Sequence, residues 1–388
     1  MKKKTRNIIL IIIGIIVLLF LFRLFYRNFD FEKDKQTFIA LISKAGSGKV
    51  INALDEMREL ESLTNPIINF RYQSWKEEMY ARFVSKNEII ENTSDNKIIN
   101  DISNIYREYW RTELLKENPK SRIDTALYIN LTNYILSNDL TTLSKDSLSK
   151  NIKNDSELKR IIEAQGFKTD FKFRNGFQEL FIWDKEIIRD YKVILPKDTI
   201  NSKVVFIEKY HLTGYDYYAS CGKSQVGGWA IKESATLYCS KGYDLSSEKF
   251  NISYLKHESL HFIDLNDYPN LSSADLEYRA KVIELMYCTE KSIYRQVAEF
   301  INGADSSDRS HSHPYANYIL IKNLSQLIFN SEYETDINKW KKLSVEEINS
   351  AAISLYNMSE KRLQKDRNVS DIISVSYTHL TLPTSDLE

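Results

Sequence analysis

His257, Glu258 and His261 are the residues whose types and spacing can do chemistry, in the run His257-Glu258-Ser259-Leu260-His261. Two histidines four positions apart on a helix project from one side, with about 5–6 Å between β-carbons, and so can present two imidazoles to one metal ion. Glu258 lies beside that face. Its carboxylate can reach a water on the metal without being a ligand, which is what a general base for hydrolysis requires. The pattern has this meaning only on a helix, and its flanks predict one. Phe250 and Ile252 lead in, Leu255, Phe262 and Leu265 supply an apolar stripe, and Pro269 stops the segment. The bland alternative is two histidines on an amphipathic helix with no metal between them.

Elements that could position this helix are legible on both sides of it. After Gly166 short β-rich runs appear at 170–173, 179–183, 191–195 and 203–207, followed by an alternating stretch over 227–239. There Trp229, Ile231, Ala235 and Leu237 share one face and Lys232, Ser234 and Thr236 the other, which predicts one half-buried edge strand. Helix returns near 251 and alternates with loops to about 365, where Ser344 and Glu347 form a capping box for the last helix. Before Gly166 the chain reads as helices at 38–43, 50–63, 74–83, 99–115, 123–136 and 158–164, joined by Asn/Ser/Asp-rich turns.

With a strand before it and a second helix after it, the motif resembles the gluzincin branch of the zincin metallopeptidases over residues 170–300. That resemblance implies an α+β zincin-like fold, Zn2+ as cofactor and a peptide or protein substrate, laid along 229–237. It further implies His257 and His261 as ligands, Glu258 as the base, and a glutamate of the next helix as third ligand. Ser272 and Asp275 predict the cap of a helix running to about Cys288, with Glu277, Lys281, Glu284 and Cys288 on one face. Glu277 is the expected ligand, because the 15 residues between it and His261 let two helices pack side by side. Glu284, two turns along the same face, is the second choice. Asp267 stands ten after His257, where metzincin-like proteins place a ligand, but those proteins carry glycine at the position of Asp264. Asp264 is expected instead to orient an imidazole. His311, His313 and Tyr315, in an expected loop, are candidates to hydrogen-bond the oxyanion of the transition state, and an exposed loop explains them equally well.

Composition narrows the alternatives. Lys plus Arg equals Asp plus Glu at 53 each, so no net basic charge argues for nucleic acid. Gly46-Ser47-Gly48-Lys49 lacks the Gly at 43 and the Ser or Thr at 50 that a phosphate-binding loop needs. Cys221, Cys239 and Cys288 have no metal-ligand spacing and fit either one disulfide or free thiols. Lys2, Lys3, Lys4 and Arg6 precede an apolar run over 8–26, interrupted only by Arg23, which is long enough to span a bilayer. No small-x-small cleavage signal follows, so an uncleaved single-pass anchor with the bulk of the chain extracytoplasmic is expected.

The expected organisation is thus a cytoplasmic segment 1–7, a transmembrane anchor 8–26, a helical domain 27–165, a zincin-like catalytic domain 166–300 and a C-terminal helical part 301–374. Residues 375–388 break with the Lys/Asn/Ile-rich style before them and read as a non-native tail, so His379 is set aside. The rival reading is a non-catalytic surface protein that binds a partner through 35–165 and keeps a structural or vestigial zinc site. A zinc hydrolase of a non-peptide bond is the third.

Overall fold

Asparagine side chains start two of the early helices. Asn65 accepts from the backbone N–H groups of Ile67 and Ile68 at 3.1 and 3.2 Å, with Pro66 in the first turn. Asn96 does the same for Ile98 and Ile99 at 2.9 and 3.2 Å. Both satisfy donors that a helix leaves open at its start. The structure, a computed structural model, describes Gly14 and residues 31–89, 92–116, 124–231, 234–240, 242–289 and 292–373. Apart from Gly14, the expected anchor 8–26 and the tail 375–388 lie outside the described residues. Among the described residues no helix is long and apolar enough to cross a membrane.

The fold is α+β and the chain divides into two compact units, 1–186 with 207–227, and 187–206 with 228–388. These limits differ from the expected boundaries at 165 and 300. Residues 301–373 belong with the motif helix, and the first strands belong with the early helices.

Unit 1 holds helices α1 (Phe31–Gly46), α2 (Val50–Glu59), α3 (Pro66–Phe83), α4 (Lys97–Leu114), α5 (Thr125–Ser137), α6 (Lys145–Asn151) and α7 (Ser156–Ala164). Strand β1 (Lys168–Arg174) then pairs antiparallel with β2 (Phe177–Ile194). Asn175 and Gly176 make the turn with φ of +53° and +80°, the left-handed backbone that tight hairpins use. Trp75 and Trp110 are fully buried in the core, and each indole N–H finds a carbonyl, Ser220 at 2.7 Å and Gln178 at 2.8 Å. The runs 179–183 and 191–195 belong to one strand, β2. Residues 185–190 between them are mostly exposed, so neither face carries an apolar alternation there. β3 (Thr199–Thr213) follows, and like β2 it begins in one unit and ends in the other. Unit 1 closes with α8 (Tyr215–Ala219).

In unit 2 the expected single strand over 227–239 is a hairpin. β4 (Gly228–Ile231) pairs antiparallel with β5 (Thr236–Ser240), Gly228 facing Cys239 and Ile231 facing Thr236. Alternation cannot tell one strand from the two arms of a hairpin, and the turn leaves Ala235 at a φ of +45°. The strand order β1-β2-β3-β5-β4 puts β4 at an edge. After it come α9 (Glu248–Phe250), a π-helical stretch over Asn251–Lys256, α10 (His257–Asp267) and α11 (Ser273–Tyr287). The remaining helices are α12 (Ser292–Asn302), α13 (Ser312–Phe329), α14 (Ile337–Trp340) and α15 (Val345–Lys365). Ser272 caps α11, and Ser344 with Glu347 forms the capping box of α15. α11 packs against α10, α13 and α15 and is buried nearly all round, so its ionic side chains must find partners inside the protein.

Candidate metal centre

The orientation of α10 is set by the residues between its histidines. Ser259 and Leu260 are buried, and Ser259 Oγ lies 2.9 Å from Ser202 Oγ of β3, both serines fully buried. With that face turned to the sheet, His257 and His261 face α11. The π-helical stretch ends directly before His257, a widened turn of the kind that recurs at functional sites.

His257 Nε2 stands 3.4 Å from Glu277 Oε2, and His261 Nε2 stands 3.4 Å from Glu277 Oε1. The two rings are 4.9 Å apart and nearly perpendicular, at 87°. One ligand-capable atom from each of His257, His261 and Glu277 lies within 4.8 Å of the other two. The oxygens of Glu277 are nonetheless poorly served. Oε2 is buried and accepts no hydrogen bond, although His257 Nε2 and His313 Nδ1 approach to 3.4 and 2.9 Å. These nitrogens are close without aiming a proton at it. His261 Nδ1 is also buried without a partner. Buried polar atoms are normally hydrogen-bonded. Two imidazoles and a carboxylate converging at this distance fit a divalent cation, so this group could bind a metal ion.

Around the cluster runs a chain of orienting bonds. His257 Nδ1 meets Glu284 Oε1 at 2.8 Å, and Glu284 Oε2 accepts from Gln296 Nε2 at 2.9 Å. With Nδ1 occupied, Nε2 of His257 is the atom left for a ligand role. Burial opposes the charged form of His257, but the adjacent carboxylate of Glu277 and the hydrogen-bonded carboxylate of Glu284 outweigh it and push its pKa up to about 10. Burial likewise opposes ionisation of Glu277. The neighbouring imidazoles of His257, His261 and His313 win, and hold its carboxyl far below the ordinary carboxylate range.

Glu277 stands where the expected third ligand belongs, while Glu284, the second choice, serves the far side of His257. The expectation for Asp264 is corrected. It takes a bidentate pair from Arg279, Nε to Oδ2 at 2.7 Å and NH2 to Oδ1 at 2.9 Å, because a guanidinium offers two parallel donors where an imidazole offers one. Asp267 is exposed at the end of α10.

Glu258 is half-buried and lines a cleft of about 230 Å³ with Ala230, His261, Phe262, Leu265 and Glu277. The expected loop over 311–315 is the start of α13. Pro314 sits in its first turn, where a missing N–H is no loss. Of its three candidates, only His313 is brought to the cluster. His311 is exposed and lies 3.8 Å from Asp308, and Tyr315 is buried under the Arg309 guanidinium, 5.4 Å from its ring centre. Gln296 escaped the sequence reading. Its signal is a polar residue on the buried face that Ile293, Val297 and Phe300 give α12. The three cysteines form no disulfide, and burial pushes each thiol up to about 12. Gly48, in the rejected phosphate-loop fragment, has a φ of +87°, and a β-carbon there would meet the Phe177 ring at 2.8 Å. No protein-family model, curated protein or solved structure matches this chain.

Proposed function

We propose that this chain is a membrane-anchored, extracytoplasmic zinc hydrolase of peptide bonds, a metallopeptidase with a gluzincin-type site. The observation that carries the reading is the convergence of His257, His261 and Glu277, whose ligand-capable atoms lie within 4.8 Å of one another, beside a cleft that Glu258 lines. His257, His261 and Glu277 would hold the ion, a two-nitrogen, one-carboxylate set that suits catalytic zinc. Zinc held there would lower the pKa of water towards about 7 and polarise a carbonyl.

The chain's own residues do the rest. Glu258 takes a proton from water onto its carboxylate and passes it to the departing amine. Glu284 and Gln296 keep His257 in the tautomer that leaves Nε2 unprotonated. β4 is an edge strand, and an extended peptide can add to its outer side through main-chain hydrogen bonds. Ala230 of β4 lines the cleft together with Glu258, so a peptide paired there lies within its reach. Phe262, Leu265 and Leu276 give the cleft an apolar floor suited to an apolar side chain. The anchor itself rests on the apolar run 8–26 of the sequence.

The test is metal content by elemental mass spectrometry on the full chain in detergent, together with cleavage of a fluorogenic peptide library. One zinc per chain is expected. In Glu258→Gln the zinc stays and hydrolysis falls by roughly 10²–10⁴-fold. A folded chain never exposed to chelator that holds no zinc, and takes none up, overturns the reading.

A second reading has one observation in its favour. Unit 1 has a cavity of about 640 Å³, lined by Arg82, Arg107, Tyr217 and Tyr218 among others and by no residue of the metal cluster. A non-catalytic surface protein would hold its partner there, and Glu258→Gln would then leave its binding unchanged.

A further inference from the structure

A carboxylate ligand has two oxygens, and what holds the second decides how many positions on the ion stay open. In Glu277 that second oxygen is Oε2, buried and without a hydrogen bond. The nitrogen nearest to it belongs to neither motif histidine. It is Nδ1 of His313 at 2.9 Å, against 3.4 Å for His257 Nε2. We propose that His313 is a positioning residue of the metal centre, whose Nδ1–H takes Glu277 Oε2 and leaves Oε1 to converge with His257 and His261. The proposal rests on the metal reading above.

Three further observations support it. First, once the two motif imidazoles turn their Nε2 lone pairs to an ion, neither has a proton left for Oε2. Glu284 and Gln296 are already engaged on the far side of His257. His313 is the remaining donor brought to that oxygen among the described residues. Second, the base of its side chain is fixed. His313 lies in the first turn of α13, next to Pro314, whose carbonyl accepts from Asp305 N at 3.0 Å, and α13 packs along α11. The χ2 torsion of a histidine ring is soft, so Nδ1–H can turn toward Oε2 without moving the helix. Third, His311 two residues earlier turns to Asp308 instead, so the contact belongs to His313 and not to the whole segment. The His313 side chain is 65 % exposed against 13 % for Glu277, so it reaches Glu277 from the solvent side. One-oxygen ligation by Glu277 keeps a coordination position for substrate, as a catalytic site requires.

The experiment measures zinc affinity and the visible spectrum of the cobalt-substituted full chain for wild type, His313→Ala, His313→Asn and His313→Gln. Asn places an amide N–H where imidazole Nδ1 lies, whereas Gln reaches the Nε2 position. Ala and Gln are expected to weaken zinc by roughly 10- to 100-fold, the usual cost of losing a partner of a metal ligand, and to alter the cobalt bands. Asn should restore both. Affinity and spectrum unchanged in the Ala variant overturn the proposal, and so does equal loss in all three variants, which would make the role one of packing. A wild type that takes up neither metal sinks the metal reading itself, an outcome distinct from a loaded wild type matched by every variant.

Discussion

Helix α11 carries two buried ionic groups two residues apart, and both answer residues of α10. Arg279 pairs with Asp264, and Glu277 pairs with His257 and His261. The Arg279 group balances its charges within the chain, although Glu360 Oε2, like Glu277 Oε2, is buried without a hydrogen bond. Its guanidinium also donates to Ser359 Oγ at 2.7 Å and Glu360 Oε1 at 2.5 Å, and Lys197 stands on the other oxygen of Glu360. Two positive charges face two negative ones. The Glu277 group does not balance. In the metal-free fold a proton on His257, whose pKa is raised to about 10, offsets only one of the two negative charges of Glu277 and Glu284. Burying charge is costly unless it is paired, so the first group is balanced by its own side chains while the second keeps an excess of negative charge that a cation could offset. One helix thus holds a fastening and a socket side by side.

Breaking the fastening should have the largest effect. Arg279→Ala strands Asp264 and Glu360 in the core and is expected to cost about 3–5 kcal/mol in urea unfolding of the metal-free protein. Zinc stoichiometry of the fraction that stays folded should not change. Loss of zinc at full folding would show that the two groups are not separable. Glu277→Ala is the converse. Zinc affinity, followed by competition with a chromophoric chelator, should fall by more than the roughly 100-fold that an outer partner can account for. Its cost to metal-free stability should be smaller than that of Arg279→Ala. Glu284→Gln removes only the anionic partner of His257 Nδ1 and should weaken zinc by roughly 10- to 100-fold. Equal losses for the Glu277 and Glu284 variants would argue that Glu277 is not a ligand.

The smallest effect is a slope in pH. His257 is raised from an ordinary 6.5 to about 10 in the metal-free fold. Its contribution to metal-free stability is therefore fully present below 6.5 and is lost as pH rises through 10. Zinc must displace that proton, so between these limits affinity should improve by up to about tenfold per pH unit. Calorimetry in buffers of different ionisation enthalpy should report close to one proton released per zinc at pH 8. No proton release would mean that His257 is neutral before the metal arrives.

Much of the candidate metal centre was legible because helix chemistry is local. The spacing of His257 and His261, the Ser272 cap and the face shared by Glu277 and Glu284 all lie within a few turns of chain. What was lost lies across space or in weak patterns. Asp264 looked like a partner for a histidine because nothing in the sequence announces that Arg279, fifteen positions on, points at it. Gln296 joins the centre through a third helix. The expected loop over 311–315 contains Pro314, yet the first turn of a helix accepts proline readily. Among the strands, the exposed middle of β2 left no periodicity to find, and the alternation over 227–239 did not reveal its turn. The polar seven-residue α6 showed no apolar period at all.

The chain passes between the two units three times, at 186–187, 206–207 and 227–228. As the polypeptide is made from its N-terminus, unit 1 cannot be completed until residue 227 has emerged, and by then unit 2 owns only residues 187–206. Those residues include Ser202, the group that later receives Ser259 of the motif helix. Synthesis therefore delivers the seat for the motif helix before the helix itself. It also means that no single cut separates the units, so a proteolytic or cloned fragment starting at 228 would carry every proposed ligand but lack the strand on which they are aligned.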